Sequence, residues 1–258
     1  MGDELKQLRE RNAELERELA ERADALQAAQ REFDHFAYSV SHDLRAPLHH
    51  ITAFSAMLER MALSKLDETD RSTVQAIKDA ADRMNQLIDD LLHLSRVGRA
   101  ELHHAPVPLQ EIVRQAQTDL APEALGRKID WRIQPLPTVE ADPTLLRQAF
   151  VALLSNALKF TRGRDTAEIE IGAREEPKRW VVYVRDNGVG FEQKFAGRLF
   201  GIFQRLHSER EFEGTGSGLA LVRKIISRHG GETWAEGRLN EGATFFLSLP
   251  KRDRSAGL

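Results

Sequence analysis

The feature that most limits what this chain can fold into is a seam near its start. Apolar residues recur at alternating steps of three and four through Leu5, Leu8, Leu15, Leu19, Leu26, Ala29, Phe33, Phe36 and Val40. A period near 3.5 draws one narrow stripe along a long helix, and two helices so striped bury it by coiling around each other. With Leu5 at position a, Leu8 and Leu15 fall at d. Asn12 falls at a, where a buried asparagine fixes register and favours two strands. The expectation is a parallel dimer. Arg22 falls at d and weakens the seam, which leaves open a single amphipathic helix lying on some other neighbour. The Glu and Arg residues between the seam positions read as a solvated face.

The same register runs into Ser41-His42-Asp43-Leu44-Arg45-Ala46-Pro47-Leu48 and puts His42 at c, off the seam, where another domain can reach it. Pro47 removes a backbone donor and crowds the preceding turn, so a kink after His42 is expected in a helix continuing to about residue 63. A polar break at 64–67 precedes a second helix with Val74, Ile77, Ala81, Met84, Ile88 and Leu91 on one face. One such hairpin has too little core. Two around the seam axis make a four-helix bundle.

Beyond Val97-Gly98-Arg99-Ala100 the pattern changes, and Pro106-Val107-Pro108 reads as a linker. Helical stretches near 109–125, 143–161 and 217–229 alternate with strand-like runs at 129–133, 167–174, 180–185, 232–236 and 243–249. That mixture suggests an α/β two-layer sandwich. The fold class is therefore α plus α/β, a coiled coil and dimeric four-helix bundle followed by the sandwich. The expected divisions are a coiled-coil linker at 1–32, a helical hairpin at 33–98, a hinge at 99–108, the α/β domain at 109–250 and a tail at 251–258. A net charge of -3 with no basic tract argues against a nucleic-acid binder. The absence of cysteine excludes disulfides, thiolate metal sites and a cysteine nucleophile. No apolar run approaches the ~18 residues of a membrane span, and the charged start is unlike a signal peptide, so a cytoplasmic location is expected.

Three segments of the second half carry polar residues at unusual spacing. In Leu153-Leu154-Ser155-Asn156-Ala157-Leu158-Lys159-Phe160-Thr161, Asn156 and Lys159 share a helix face, pairing an amide oxygen that can ligate a hard cation with an ammonium that can meet a phosphate. Asp186-Asn187-Gly188-Val189-Gly190-Phe191 sets a carboxylate at a strand end before a turn with two glycines. Gly214-Thr215-Gly216-Ser217-Gly218-Leu219-Ala220 opens a helix and can present backbone N–H groups to phosphate, although it is neither a Walker A loop nor a dinucleotide fingerprint. Each has a plain alternative: a solvated helix face, a hairpin turn, a glycine linker.

Together, and preceded by the histidine segment, the three resemble the transmitter module of sensor histidine kinases. The matching stretches are the H box (41–48), the N box (153–161), the first glycine box (186–190), the phenylalanine box (200–203) and the second glycine box (214–218). The resemblance covers about 33–250, and the wording around His42 and at 213–216 is most similar to the bacterial phytochrome-linked branch. It implies an ATPase-type sandwich and a protein-histidine kinase of a two-component system, using ATP and Mg²⁺. His42 would take the γ-phosphoryl group, with Asp43 orienting its ring. Asn156 would hold Mg²⁺, Lys159 would meet phosphate, and Asp186 would accept from the adenine amino group. Gly188 and Gly190 would let backbone approach the base. Gly214, Gly216, Gly218 and Leu219 would shape the phosphate end of a lid at about 192–213, tied down by Phe200 and Phe203. The implied partners are a second copy of the chain, a response regulator that receives the phosphoryl on an aspartate, and an upstream sensor domain, with no nucleic acid.

Two departures matter. Ala46 replaces the Thr or Asn usual four positions after the histidine, which puts phosphatase activity in doubt, and Ala152 replaces the first Asn of the N box, which is expected to weaken nucleotide or Mg²⁺ binding. A phosphatase-biased or degenerate transmitter, a conformational ATPase of the gyrase or chaperone type, and a coiled-coil scaffold are the competing readings. His49 and His50 are minor rivals of His42, and the other histidines show no metal-site spacing.

Overall fold

The structure, a computed structural model, describes residues 2–62, 67–99, 101–207 and 211–251. The chain divides into two compact units, Met1–Ser95 and Arg96–Leu258.

In the first unit, helix α1 (Gly2–Ala62) is continuous through Pro47, whose missing N–H leaves one bond of the helical ladder unmade. Helix α2 (Glu68–Arg99) follows. Asp67 and Asp70 open it with a reciprocal box, Asp70 N donating to Asp67 Oδ1 at 2.8 Å and Asp67 N to Asp70 Oδ2 at 3.3 Å. Residues 64–66 of the expected break lie outside the described ones, as does residue 63 before it. The helices run antiparallel, with Leu48 packed on Ala81 and Ile88, Lys78 paired with Glu59 at 2.8 Å and Arg45 with Asp89 at 2.7 Å. Ser41 and Ser55, one heptad on either side of Leu48, are buried on the same stripe.

The apolar face expected of α2 is thus half covered. Val74, Ala81 and Ile88 are buried, whereas Ile77 and Met84 stay exposed. On α1, Phe54 and Met61 continue the a positions of the seam and are 68% and 71% exposed, flanked by exposed Leu44, Ile51 and Leu58. One face of α1 therefore meets α2, and the heptad face stays uncovered among the described residues. Leu15 and Leu19 of the seam are likewise exposed. The side chains of Leu5, Leu8, Leu26, Phe33 and Phe36 lie outside the described ones.

The second unit is an α/β two-layer sandwich. Its sheet has the order β2-β4-β5-β7-β6, from β2 (Ile129–Ile133), β4 (Ala167–Glu175), β5 (Arg179–Asp186), β6 (Thr233–Arg238) and β7 (Gly242–Pro250). The β2–β4 pair is parallel and the rest antiparallel. Helices α3 (Leu109–Asp119), α5 (Pro143–Phe160) and α6 (Gly218–Arg228) share one core with one sheet face, built round Phe150, Leu146, Ile169, Ile171, Ile225 and Leu247.

Two expectations are corrected. Ala105–Pro108, read as the end of a hinge, is strand β1, paired antiparallel with β3 (Thr138–Ala141), and Val107 is buried. Pro106 and Pro108 are two apart, so both missing donors fall on the side of the strand that faces no partner. The expected helix over 109–125 ends at Asp119, and α4 (Ala121–Ala124) is a separate turn, because Pro122 has no N–H to continue the helical ladder and its ring crowds the carbonyl four residues back. The expected tail lies outside the described residues from 252 onward.

Candidate functional site

The site begins with how α5 is pinned. Asp142 caps it, accepting from Thr144 N at 2.9 Å and Leu145 N at 3.1 Å, and Pro143 supplies a first residue that needs no donor. Burial alone would raise the Asp142 carboxyl, but N–H bonds from Leu145, His103 and Thr144 hold it below the ordinary carboxylate range. The cap is itself braced. His229 Nδ1–H donates to Ile225 O at 2.8 Å, and its Nε2 accepts from Asp142 N at 3.0 Å, so one neutral tautomer serves both bonds. Burial keeps the His229 pKa below its ordinary value. At the other end Arg127 donates to Leu158 O at 2.5 Å and Thr161 Oγ1 at 3.1 Å, placing a cation where helix carbonyls end.

A helix so fixed buries Leu146, Phe150, Leu153, Leu154 and Leu158 and turns Asn156 and Lys159 into a cavity of about 230 Å³. Asp186, at the end of β5, reaches the same cavity and is only 3% exposed. Burial pushes its carboxyl up to about 6, against the pull of the N–H groups of Gly188 and Ala243 and the charge of Arg164. Gly188 N donates to Asp186 Oδ1 at 2.8 Å. The arrangement is a desolvated acceptor aimed from the wall of a pocket.

Across the cavity, the segment before α6 brings Gly214, Gly216 and Gly218, with Leu219 beside them. Gly214 has φ +121° and Gly216 φ +80°, and a Cβ on Gly216 would stand 2.7 Å from Gln204 O. Ser217 makes no side-chain cap, so the first N–H groups of α6 are left for another acceptor. Lys159 lies over the Phe160 ring at 4.6 Å. Burial lowers its pKa, and Arg205 and Arg162 lower it further. No carboxylate pairs with its ammonium among the described residues. Cations gathered beside uncapped helix N–H groups make a place for a multiply charged anion.

Every residue expected at the ligand site lines this cavity except Gly188. A Cβ on Gly188 would meet Phe160 O at 2.7 Å, and one on Gly190 would meet Arg238 O at 1.9 Å. Both glycines are therefore required by the protein's own backbone. His42 and Asp43 belong to the first unit. They are 79% and 75% exposed at their side chains, and His42 Nδ1 stands 3.2 Å from Asp43 Oδ1. Ala46 is exposed one turn later.

The segment expected as a lid begins with a turn fixed to the sheet. Residues Gln193–Arg198 form a 3-10 helix held to β6, Gln193 bonding Ala235 O and Gly237 N. Phe200 is buried edge-on to Phe245, whereas Phe203 stands in a turn with φ +58°, off any helix. Residues 208–210 lie outside the described ones. Several contacts had no signal in the motif spacing. His207 Nε2–H donates to Gly190 O at 3.0 Å, and its ring packs with Phe160 and Phe212. Arg205 grips Gly214 O at 2.6 Å and Phe212 O at 2.5 Å, and Arg162 pairs with Glu213.

Two family models match the chain: the His Kinase A (phospho-acceptor) domain over residues 32–100, and the histidine kinase-, DNA gyrase B-, and HSP90-like ATPase over residues 141–253. Cyanobacterial phytochrome A of Nostoc sp. is 36% identical over 244 residues, 93% of this chain and 32% of that protein. The circadian input-output histidine kinase CikA of Synechococcus elongatus is 33% identical over 261 residues, 98% of this chain and 34% of that protein. The chain thus spans about a third of the length of these curated relatives. Among solved structures, full-length ShkA in complex with AMPPNP is 31% identical with a TM-score of 0.60, matching 87% of this chain and 47% of that one.

Proposed function

The chain belongs to the sensor histidine kinases, carrying both the phosphoacceptor and the ATPase domain of their transmitter module, and from that premise we propose that it phosphorylates itself on His42 and passes the phosphoryl group to an aspartate of a response regulator. The observation that carries the proposal is the cavity, which joins a buried carboxylate to an ammonium that pairs with no carboxylate among the described residues. Asp186 suits the exocyclic amino group of adenine, and Lys159 with the α6 N-terminus suits phosphates. The AMPPNP held by ShkA supports ATP as the substrate.

Asn156 is the residue to hold Mg²⁺. Among the described residues no group of three or more His, Cys, Asp or Glu is placed to hold a metal ion. A single amide oxygen fits Mg²⁺ all the same, because this ion binds with few protein ligands, keeping water and substrate phosphates for the rest. Its charge, when bound, neutralises the phosphates during transfer.

At the acceptor, Asp43 engages Nδ1 of His42 and leaves Nε2 as the nucleophile. The new bond joins Nε2 to the γ-phosphorus as the bond to the β-phosphate oxygen breaks and ADP leaves. The proton on Nδ1 then faces the Asp43 carboxylate, which stabilises the positive ring. The uncovered heptad face of α1 supports a homodimer, with the hairpins of two chains making the bundle. Ala46 offers no polar atom to hold a hydrolytic water, which favours kinase over phosphatase work.

Labelling with γ-³²P ATP is expected to give an acid-labile, base-stable product on wild type and none on His42→Ala. Label that survives His42→Ala, or nucleotide binding without any label on wild type, would overturn the reading.

A further inference from the structure

The turn behind Asp186 is gripped by a residue outside every motif above. Arg164 follows α5, and its guanidinium spans three carbonyl oxygens. Nε donates to Asn187 O at 2.7 Å, while Nη2 donates to Gly188 O at 2.9 Å and to Asn240 O at 2.5 Å. The first two lie directly after Asp186. The third belongs to the tight connection from β6 to β7, where Asn240 takes φ +62°. Asn240 N also donates to Val189 O at 2.7 Å, so two separate loops close on one cation. Asn187 completes the clamp from its side chain, accepting from Glu168 N at 3.0 Å and donating to Thr166 O at 3.1 Å.

A guanidinium usually finds a carboxylate. Arg164 has none in an ion pair among the described residues, so its charge is not cancelled by a partner. It acts on Asp186, where it opposes the effect of burial. We propose that Arg164 is a positioning residue of the nucleotide site, one that fixes the pose and the local field in which Asp186 accepts a hydrogen bond from adenine. The inference rests on the reading of the cavity as an adenine-nucleotide site.

Other charged groups surround Asp186. Arg185 is on its own strand, Glu168 and Glu170 are on β4, Arg132 is on β2, and Glu241 follows Asn240. Lys159, His207, Arg205 and Glu213 line the cavity itself. Histidine is the one residue type among these whose reference value in peptides lies near 6, so the test must separate His207 from Asp186.

The full chain is titrated with ADP by calorimetry from pH 7.5 to 5, as wild type, Arg164→Gln, Arg164→Lys and Asp186→Asn. Wild type is expected to lose affinity as the pH falls through about 6, because a protonated Asp186 is a poorer acceptor. Asp186→Asn flattens that loss. A profile unchanged in Asp186→Asn assigns it to His207 and overturns the proposal. Arg164→Gln is expected to bind about tenfold more weakly, the worth of one charge-assisted hydrogen bond, with the loss centred at a higher pH. Arg164→Lys keeps the charge but cannot span three carbonyls, so it restores the wild-type centre and only part of the affinity. Thermal melting checks that each variant is folded, and if Arg164→Gln is not, Arg164→Lys carries the test, wild-type affinity in it overturning the proposal. Unchanged affinity in both Arg164 variants, or weaker binding of Arg164→Gln with an unmoved centre, makes Arg164 a fold residue and overturns the proposal. Failure of wild type to bind ADP at all sinks the nucleotide reading instead.

Discussion

Ala152 stands one turn before Asn156 and lines the same cavity. Its neighbour across the gap is Gly218, where even an added Cβ would lie 3.8 Å away, an ordinary contact. The position therefore has room for a longer side chain and lacks only the polar atom. Ala152→Asn is expected to tighten binding of the Mg²⁺-nucleotide by about 1 kcal/mol, the net worth of one hydrogen bond; identical calorimetric constants for the two proteins would rule this out. At this scale the sequence was most legible where chemistry is distinctive. Asn156, Lys159 and Asp186 stand out by residue type and spacing, and they do line one cavity. Arg164 and His207 did not stand out, because each acts through carbonyl oxygens that any residue can present.

At the scale of elements, long periodic segments were read closely and short ones were not. The strand at Ile129–Ile133 lies where the strand-like run was read, whereas β1 and β3 have four residues each, β1 holding Pro106 and Pro108 and β3 following Pro137. Pairing over many residues of separation stabilises such strands, and no local pattern reports it. The brace on α5 is another long-range feature. His229 must stay neutral to accept from Asp142 N, and the neighbouring His104 and Arg228 also disfavour its protonation. A histidine with a depressed folded pKa contributes stability above the ordinary imidazole value, and that contribution is lost as the pH falls through the folded value. Wild type is therefore expected to melt at lower temperature at pH 5 than at pH 7.5, by about 2–4 °C for each kcal/mol lost. His229→Gln, whose amide can replace the acceptor, should lose less over the same interval. Equal acid sensitivity in the two proteins would dismiss the brace as a pH-dependent element. Buried Asp186 works with the opposite sign, its stabilising neutral form vanishing as the pH rises through about 6, and the difference between the two proteins removes it.

At the scale of the whole molecule, the exposed heptad face is the decisive feature. A 61-residue helix is far longer than one hairpin partner can cover. Phe54, Met57 and Met61 left in water would forgo about 25 cal/mol for each Å² of apolar surface that a second hairpin would bury. Sedimentation of the chain should give twice its 29.2 kDa. The Phe54→Glu and Met61→Glu double variant should shift it to the monomer, weakening association at least tenfold while leaving ADP binding by the second unit intact. A variant that still sediments as a dimer at micromolar concentration would remove this face from the interface.

The sequence by itself determined the seam, the order of helices and strands, and the residue types able to meet metal, phosphate and base, because periodicity and side-chain chemistry are local properties. Tertiary structure alone decided that the hinge segment contributes a strand and that Asp186 sits in a burial that raises its pKa. It also decided that Gly188 and Gly190 make room for protein backbone. Those outcomes depend on which distant groups come within hydrogen-bonding or van der Waals range, and that range is set only when the layers pack.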